Sequence, residues 1–142
     1  MRRVVFIAGP IQGMEHNQRY RKRIKRLLLR YGYEVIDPWE REKVIYSARA
    51  PVEGAWWRNV PPPDFIRRDL EDIDRSDMLI AYLPRISAGT CMELFYAKMR
   101  GKKTVTICEI EDPSPWIIFH SDVILRRIGD LEDFLKRNVK EE

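Results

Sequence analysis

Two short apolar runs constrain this chain more than any other feature. Val4-Val5-Phe6-Ile7-Ala8 stops at Gly9-Pro10, and Met78-Leu79-Ile80-Ala81-Tyr82-Leu83 stops at Pro84. A strand with one face in water alternates apolar and polar residues, so an unbroken run of this length reads as a strand covered on both faces, as in a parallel sheet. Parallel neighbours need long crossover connections, and the intervening sequence supplies them.

The spacing predicts a helix over 17–31, with Tyr20, Ile24, Leu27, Leu28 and Tyr31 as its apolar stripe and Gly32 as its stop. A short strand over 33–36 follows and ends at Asp37-Pro38. Pro63 suits the first turn of a helix over 64–75, and Gly89-Thr90 opens another that Gly101 closes. Residues 104–108 and 123–125 read as strands, the stretch through Pro113 and Pro115 as irregular, and 130–137 as a last helix. This order predicts an α/β fold, a doubly wound, Rossmann-like or flavodoxin-like parallel sheet of four to five strands flanked by helices. The whole of 1–142 reads as a single domain without internal repeats.

Ligands in such sheets sit beyond the carboxyl ends of the strands, which directs attention to residues 9–13, 37–62 and 84–93. The 37–62 stretch lacks regular periodicity and is long for so small a domain. Its Trp39, Trp56 and Trp57 suit either stacking on a flat ligand or core packing.

Composition removes several classes of function. With 44% hydrophobic and 34% charged residues the chain can build a core, and it carries no apolar run near the roughly 18 to 20 residues of a membrane span. A cytoplasmic location is expected, with no membrane partner. Two cysteines and two histidines, none in metal-ligand spacing, argue against a disulfide framework, a metal site or a Cys/His nucleophile. The net charge of +4 is concentrated in Arg19, Arg21, Lys22, Arg23, Lys25, Arg26 and Arg30 of the first helix. A solvated helix face explains these better than a nucleic-acid surface, because no nucleic-acid-binding motif accompanies them.

Two carboxylates stand out. Ser87-Ala88-Gly89-Thr90-Cys91-Met92-Glu93 joins a strand end to a helix start, where backbone N–H groups favour an anion. Glu93 either closes a capping box with Thr90 as N-cap or faces a substrate as a nucleophile from the first helical turn. Asp69 lies beside the Ile66, Leu70 and Ile73 stripe, a position for a buried ion pair or a pocket. Asp72 and Asp74 read as solvated, and Asp77 as a turn residue. Two carboxylates across a sugar suit glycosidic bond cleavage, one attacking the anomeric carbon and one handling the leaving-group proton.

Phe6-Ile7-Ala8-Gly9-Pro10-Ile11, Arg68-Asp69-Leu70 with Ser76-Asp77, and Gly89-Thr90 with Glu93-Leu94 and Tyr96-Ala97 together resemble the nucleoside 2-deoxyribosyltransferase superfamily. In motif the chain is most similar to the branch that hydrolyses 2′-deoxynucleoside 5′-monophosphates. The resemblance implies Glu93 as the nucleophile that forms a glycosyl-enzyme, Asp69 as assistant to the departing base, and no cofactor. It implies a nucleoside or nucleotide substrate held by Phe6, Gly9, Ile11, Gln12, Gly13, Ser87, Gly89 and Trp57.

Ser87 stands where the hydrolases carry a serine and the transferases an acid, and a hydroxyl donates to a phosphate that a carboxylate would repel. The first loop has Pro10 and Gln12 in place of a serine and an arginine, which leaves backbone N–H groups or a cation such as Arg19 for the phosphate. A homodimer or larger homo-oligomer with a shared active site is implied, with Ser114 reaching the neighbour's pocket. Phe6 stands where the family carries a tyrosine, the feature that keeps a non-catalytic nucleotide-binding domain as an alternative beside base exchange by a transferase.

Overall fold

The computed structural model describes residues 3–43 and 62–141. Five strands, β1 (Val4–Ala8), β2 (Glu34–Ile36), β3 (Met78–Leu83), β4 (Lys103–Cys108) and β5 (Val123–Leu125), form one sheet in the order β2-β1-β3-β4-β5. Every pair is parallel. Helices α1 (Arg19–Arg30), α2 (Pro62–Asp74), α3 (Ala88–Met99), α4 (Pro115–His120) and α5 (Gly129–Glu141) connect and flank the strands. Residues 39–43 are also helical.

The two central strands are covered on both faces, as their unbroken apolar character requires. Because successive side chains alternate, β1 sends Val5 and Ile7 to one face and Phe6 and Ala8 to the other. The first pair packs with Ile80, Val105 and Ile107 against Tyr20, Ile24 and Leu28 of α1 and Leu131, Phe134 and Leu135 of α5. The second packs with Leu79, Ala81 and Leu83 against Ile73 of α2, Leu94 and Ala97 of α3 and Ile117 of α4. The sheet is therefore wound on both sides. Its order reverses between β1 and β3, so the ends of these neighbouring strands diverge into a crevice where connecting chain leaves in opposite directions.

Several local expectations are corrected. Residues 115–120 form α4, with Pro115 in its first turn and the Ser114 hydroxyl accepting from Trp116 N at 3.1 Å. Asp72 is fully buried rather than solvated: its carboxylate pairs with Arg41 at 2.6 Å and with Arg75. Asp77 does serve the approach to β3, since its Oδ2 accepts from Val4 N at 2.8 Å and its N–H donates to Val4 O. Asp74 is exposed, as expected. No helix among the described residues is long and apolar enough to cross a membrane.

Candidate active site

The β1 and β3 ends open on a cavity of about 720 Å³. Its walls come from the loop after β1, the 39–43 helical stretch, α2, and the loop that leads from β3 into α3. Of the residues singled out in the sequence, Gly9, Ile11, Gln12, Gly13, Asp69, Ser87, Gly89 and Glu93 all line it. Phe6 does not; it is fully buried in the core beneath α2 and α3. Ser114 caps α4 and is not among the lining residues, Trp39 is half-buried at the start of the 39–43 stretch and also apart from the lining, and Trp56 and Trp57 lie outside the described residues.

Backbone geometry makes the first wall. A Cβ on Gly9 would overlap the Tyr20 ring, whose carbons would lie 2.6 and 2.7 Å away, so only glycine permits this approach. The Tyr20 hydroxyl then donates to Pro10 O at 2.9 Å and fixes the turn. Gly13 has a φ of +82°, a conformation side chains resist, and the guanidinium of Arg85 lies across it. Arg85 Nη2 donates to Gln12 O at 2.8 Å, which holds a cation at the rim.

The capping-box expectation is wrong in its details. The N-cap of α3 is Ser87, whose hydroxyl accepts from Thr90 N at 3.4 Å and lies 2.9 Å from Thr90 Oγ1. Glu93 therefore sits in the second turn, not the first, and its carboxyl is free of capping duty. It turns toward the cavity, where burial and the nearby Asp69 push its pKa up to about 8 while Arg21 pulls the other way.

Arg21 is a functional candidate that sequence reasoning placed with the solvated cations of α1. Only 2% exposed, it lines the cavity floor, pairs with Asp37 at 2.8 Å and donates to Gly9 O at 2.9 Å and Ile7 O at 3.3 Å. Of the remaining cations of α1, Arg19, Lys22, Arg23, Arg26 and Arg30 are exposed and Lys25 is half-buried. Arg19 is not among the lining residues, so the cation near the first loop is Arg85 instead. Nothing in the local sequence marked its pairing with Asp37 at the end of β2.

Glu42 was missed altogether. It is 3% exposed, lines the cavity, and shares a hydrogen bond with Asp69. Asp69 in turn pairs with Arg41 at 3.1 Å. Burial raises the Asp69 pKa against the opposing pull of Glu42 and Arg41. Three carboxyls and two guanidiniums thus meet at one floor, with a nucleophile candidate whose charge state the surroundings control.

The family model described as Nucleoside 2-deoxyribosyltransferase matches residues 5–130. No curated protein sequence matches the chain. Among solved structures, a 2-deoxyribosyltransferase from Bacillus psychrosaccharolyticus is similar at a TM-score of 0.70, with 16% identity over 96% of this chain and 95% of that one. A 2-deoxyribosyltransferase from Leishmania mexicana gives 0.62, with 15% identity over 94% and 97%. A CMP N-glycosidase from Clostridium botulinum gives 0.59, with 22% identity over 96% and 99%. These structural likenesses establish the shared α/β architecture, and the match over 5–130 places the chain, an enzyme acting on N-glycosidic bonds, in the nucleoside 2-deoxyribosyltransferase family.

Proposed function

We propose that this enzyme hydrolyses the N-glycosidic bond of a 2′-deoxynucleoside 5′-monophosphate through a glycosyl intermediate on Glu93. The observation that carries this reading is the placement of Glu93 and Asp69 on one cavity floor, with Arg85 and Ser87 at the rim. The Glu93 carboxylate attacks C1′ as the bond to the base breaks, Asp69 assists the departing base, and water then opens the glycosyl ester to regenerate Glu93. Arg21 favours the ionised nucleophile from beneath.

The 5′-phosphate is assigned to the rim. Arg85 supplies a cation that a dianion attracts, and Ser87 supplies a hydroxyl able to donate when Thr90 Oγ1 donates to it. The nucleotide glycosidase among the structural neighbours is in keeping with a monophosphate substrate.

The second reading is deoxyribosyl transfer between bases, favoured by the family match and by the two transferases among the neighbours. Chromatography of products from 2′-deoxynucleosides and their 5′-monophosphates, each with and without a second free base, separates the two. Free base with deoxyribose 5-phosphate is the expected outcome; a new nucleoside or nucleotide carrying the added base would establish transfer instead. Absence of base release from every substrate would leave the binding domain that Phe6 suggests.

A second copy of the chain is assigned to the exposed apolar side chains Met92, Phe95, Met99, Trp116, Ile118 and Phe119 on α3 and α4. Met92 also lines the cavity, so such a contact would border the site. Sedimentation of wild type and Trp116→Glu measures it: a dimer that the substitution dissociates is expected, and a wild-type monomer would refute it.

A further inference from the structure

We infer that Glu42 is a positioning residue that holds a proton shared with the Asp69 carboxyl, and that through Asp69 this pair delivers the proton to the departing base. The inference builds on the hydrolytic reading above.

Glu42 is buried beside the cavity, and its Oε2 receives no hydrogen bond from a donor group among the described residues. Its neighbour is another acid, Asp69. Two carboxylates cannot hydrogen-bond each other; the contact forms only when one of them carries a proton. The groups that face Glu42 decide which one. Asp69 and Glu93 both oppose a negative charge there, Arg21 favours it, and burial dominates, raising the Glu42 pKa to about 10. Arg41 meanwhile pairs with Asp69 and pulls against a proton there. Glu42 is thus the resting holder of the proton and Asp69 its acceptor.

As the Glu93 carboxylate forms its bond to C1′ and the bond from C1′ to the base breaks, the shared proton passes to the base nitrogen, which keeps the bonding electrons. The pair is left with two negative charges opposite Arg21 and Arg41. Water then attacks the glycosyl ester, its oxygen bonds to C1′, Glu93 leaves as carboxylate, and the proton lost by water restores the pair. No other reactant is consumed. Arg41 works against a proton on Asp69, which gives Glu42 a reason to be present in a wall otherwise built for binding.

A base that leaves without protonation tests this. 2′-Deoxyguanosine 5′-monophosphate and its N7-methyl derivative differ in that respect, because the methylated base is cationic and departs neutral. Wild type, Glu42→Gln and Glu42→Asp are compared on both, with circular dichroism to verify folding. Glu42→Gln is expected to slow release of guanine by about 100-fold or more, to leave release of the methylated base within about threefold, and to lower the alkaline limb of the pH profile. Glu42→Asp, which keeps an acid, is expected to recover part of the guanine rate. Equal slowing of both substrates would overturn the inference in favour of a structural role, as would an unchanged rate on both. A wild-type enzyme inert on both would overturn the hydrolytic reading itself, and this inference with it.

Discussion

The floor of the cavity and its rim are made differently. At the floor, Glu42, Asp69 and Glu93 are crowded with Arg21 and Arg41, and the protein sets their charge states before a ligand arrives. At the rim, Gln12, Gly13, Arg85, Ala88 and Gly89 are exposed, and the principal charge is one long side chain anchored to a backbone carbonyl. On the proposed reading, reactivity belongs to the floor and substrate choice to the rim. A buried charge is worth more because little water competes for it, whereas an exposed cation contributes chiefly when a ligand covers it.

The separation is open to four tests of decreasing size. Glu93→Ala removes the proposed nucleophile, and base release is expected to fall on the order of 10⁴-fold; a loss under tenfold in a free-base assay would move the nucleophile elsewhere. Arg21→Met strands the buried Asp37 carboxylate, and such broken pairs cost about 3–5 kcal/mol of stability. Chemical denaturation reads this directly, and a change of under about 1 kcal/mol would mean the floor is not fixed by Arg21.

Arg85→Ala touches only the rim. KM for a deoxynucleoside 5′-monophosphate is expected to rise about 10- to 100-fold, from loss of a charge-assisted contact, with KM for the plain nucleoside unchanged. Equal effects on both substrates would erase the distinction between rim and floor. The smallest effect is a slope. Glu93 has its pKa raised to about 8, so between the ordinary carboxylate range and that value the folded chain holds a proton that the unfolded chain releases. Stability is present below that window and declines as pH rises through it. Denaturation midpoints of wild type are therefore expected to fall from pH 5 to pH 8, and those of Glu93→Gln to fall less; parallel slopes would place the raised group elsewhere.

What was legible in the sequence was whatever repeats locally. The runs at Val4–Ala8 and Met78–Leu83 declare themselves because burial on both faces excludes polar residues from a whole strand, and β5 was likewise read at its observed bounds. The glycine-rich first loop and Glu93 were legible because the end of a parallel strand restricts where a ligand can sit, and eight of the residues named from sequence share the cavity. Helix α4 escaped because a run of six residues shows no usable period, although Ser114-Pro115 was a valid start signal.

Ion pairs between elements left no pattern at all. Arg21 looks like its cationic neighbours until Asp37 arrives at the end of β2, and Asp72 looks solvated until Arg41 and Arg75 reach it. Glu42 belongs to no motif, and its meaning comes from one acid on α2 that the chain reaches only later. Charge placement of this kind is a property of the folded arrangement, invisible to spacing.

Arg21 ties α1 to the ends of both β1 and β2, through the carbonyls of Ile7 and Gly9 and the carboxylate of Asp37. Four donors of its fork are engaged in a network that also includes Gln18. The guanidinium is thereby immobilised like a rivet, and the positive charge it presents to Glu93 is set by the fold itself. Evolution can then rewrite the outer cations of α1 or the rim for new clients while this fixed positive pole keeps the chemistry underneath unchanged.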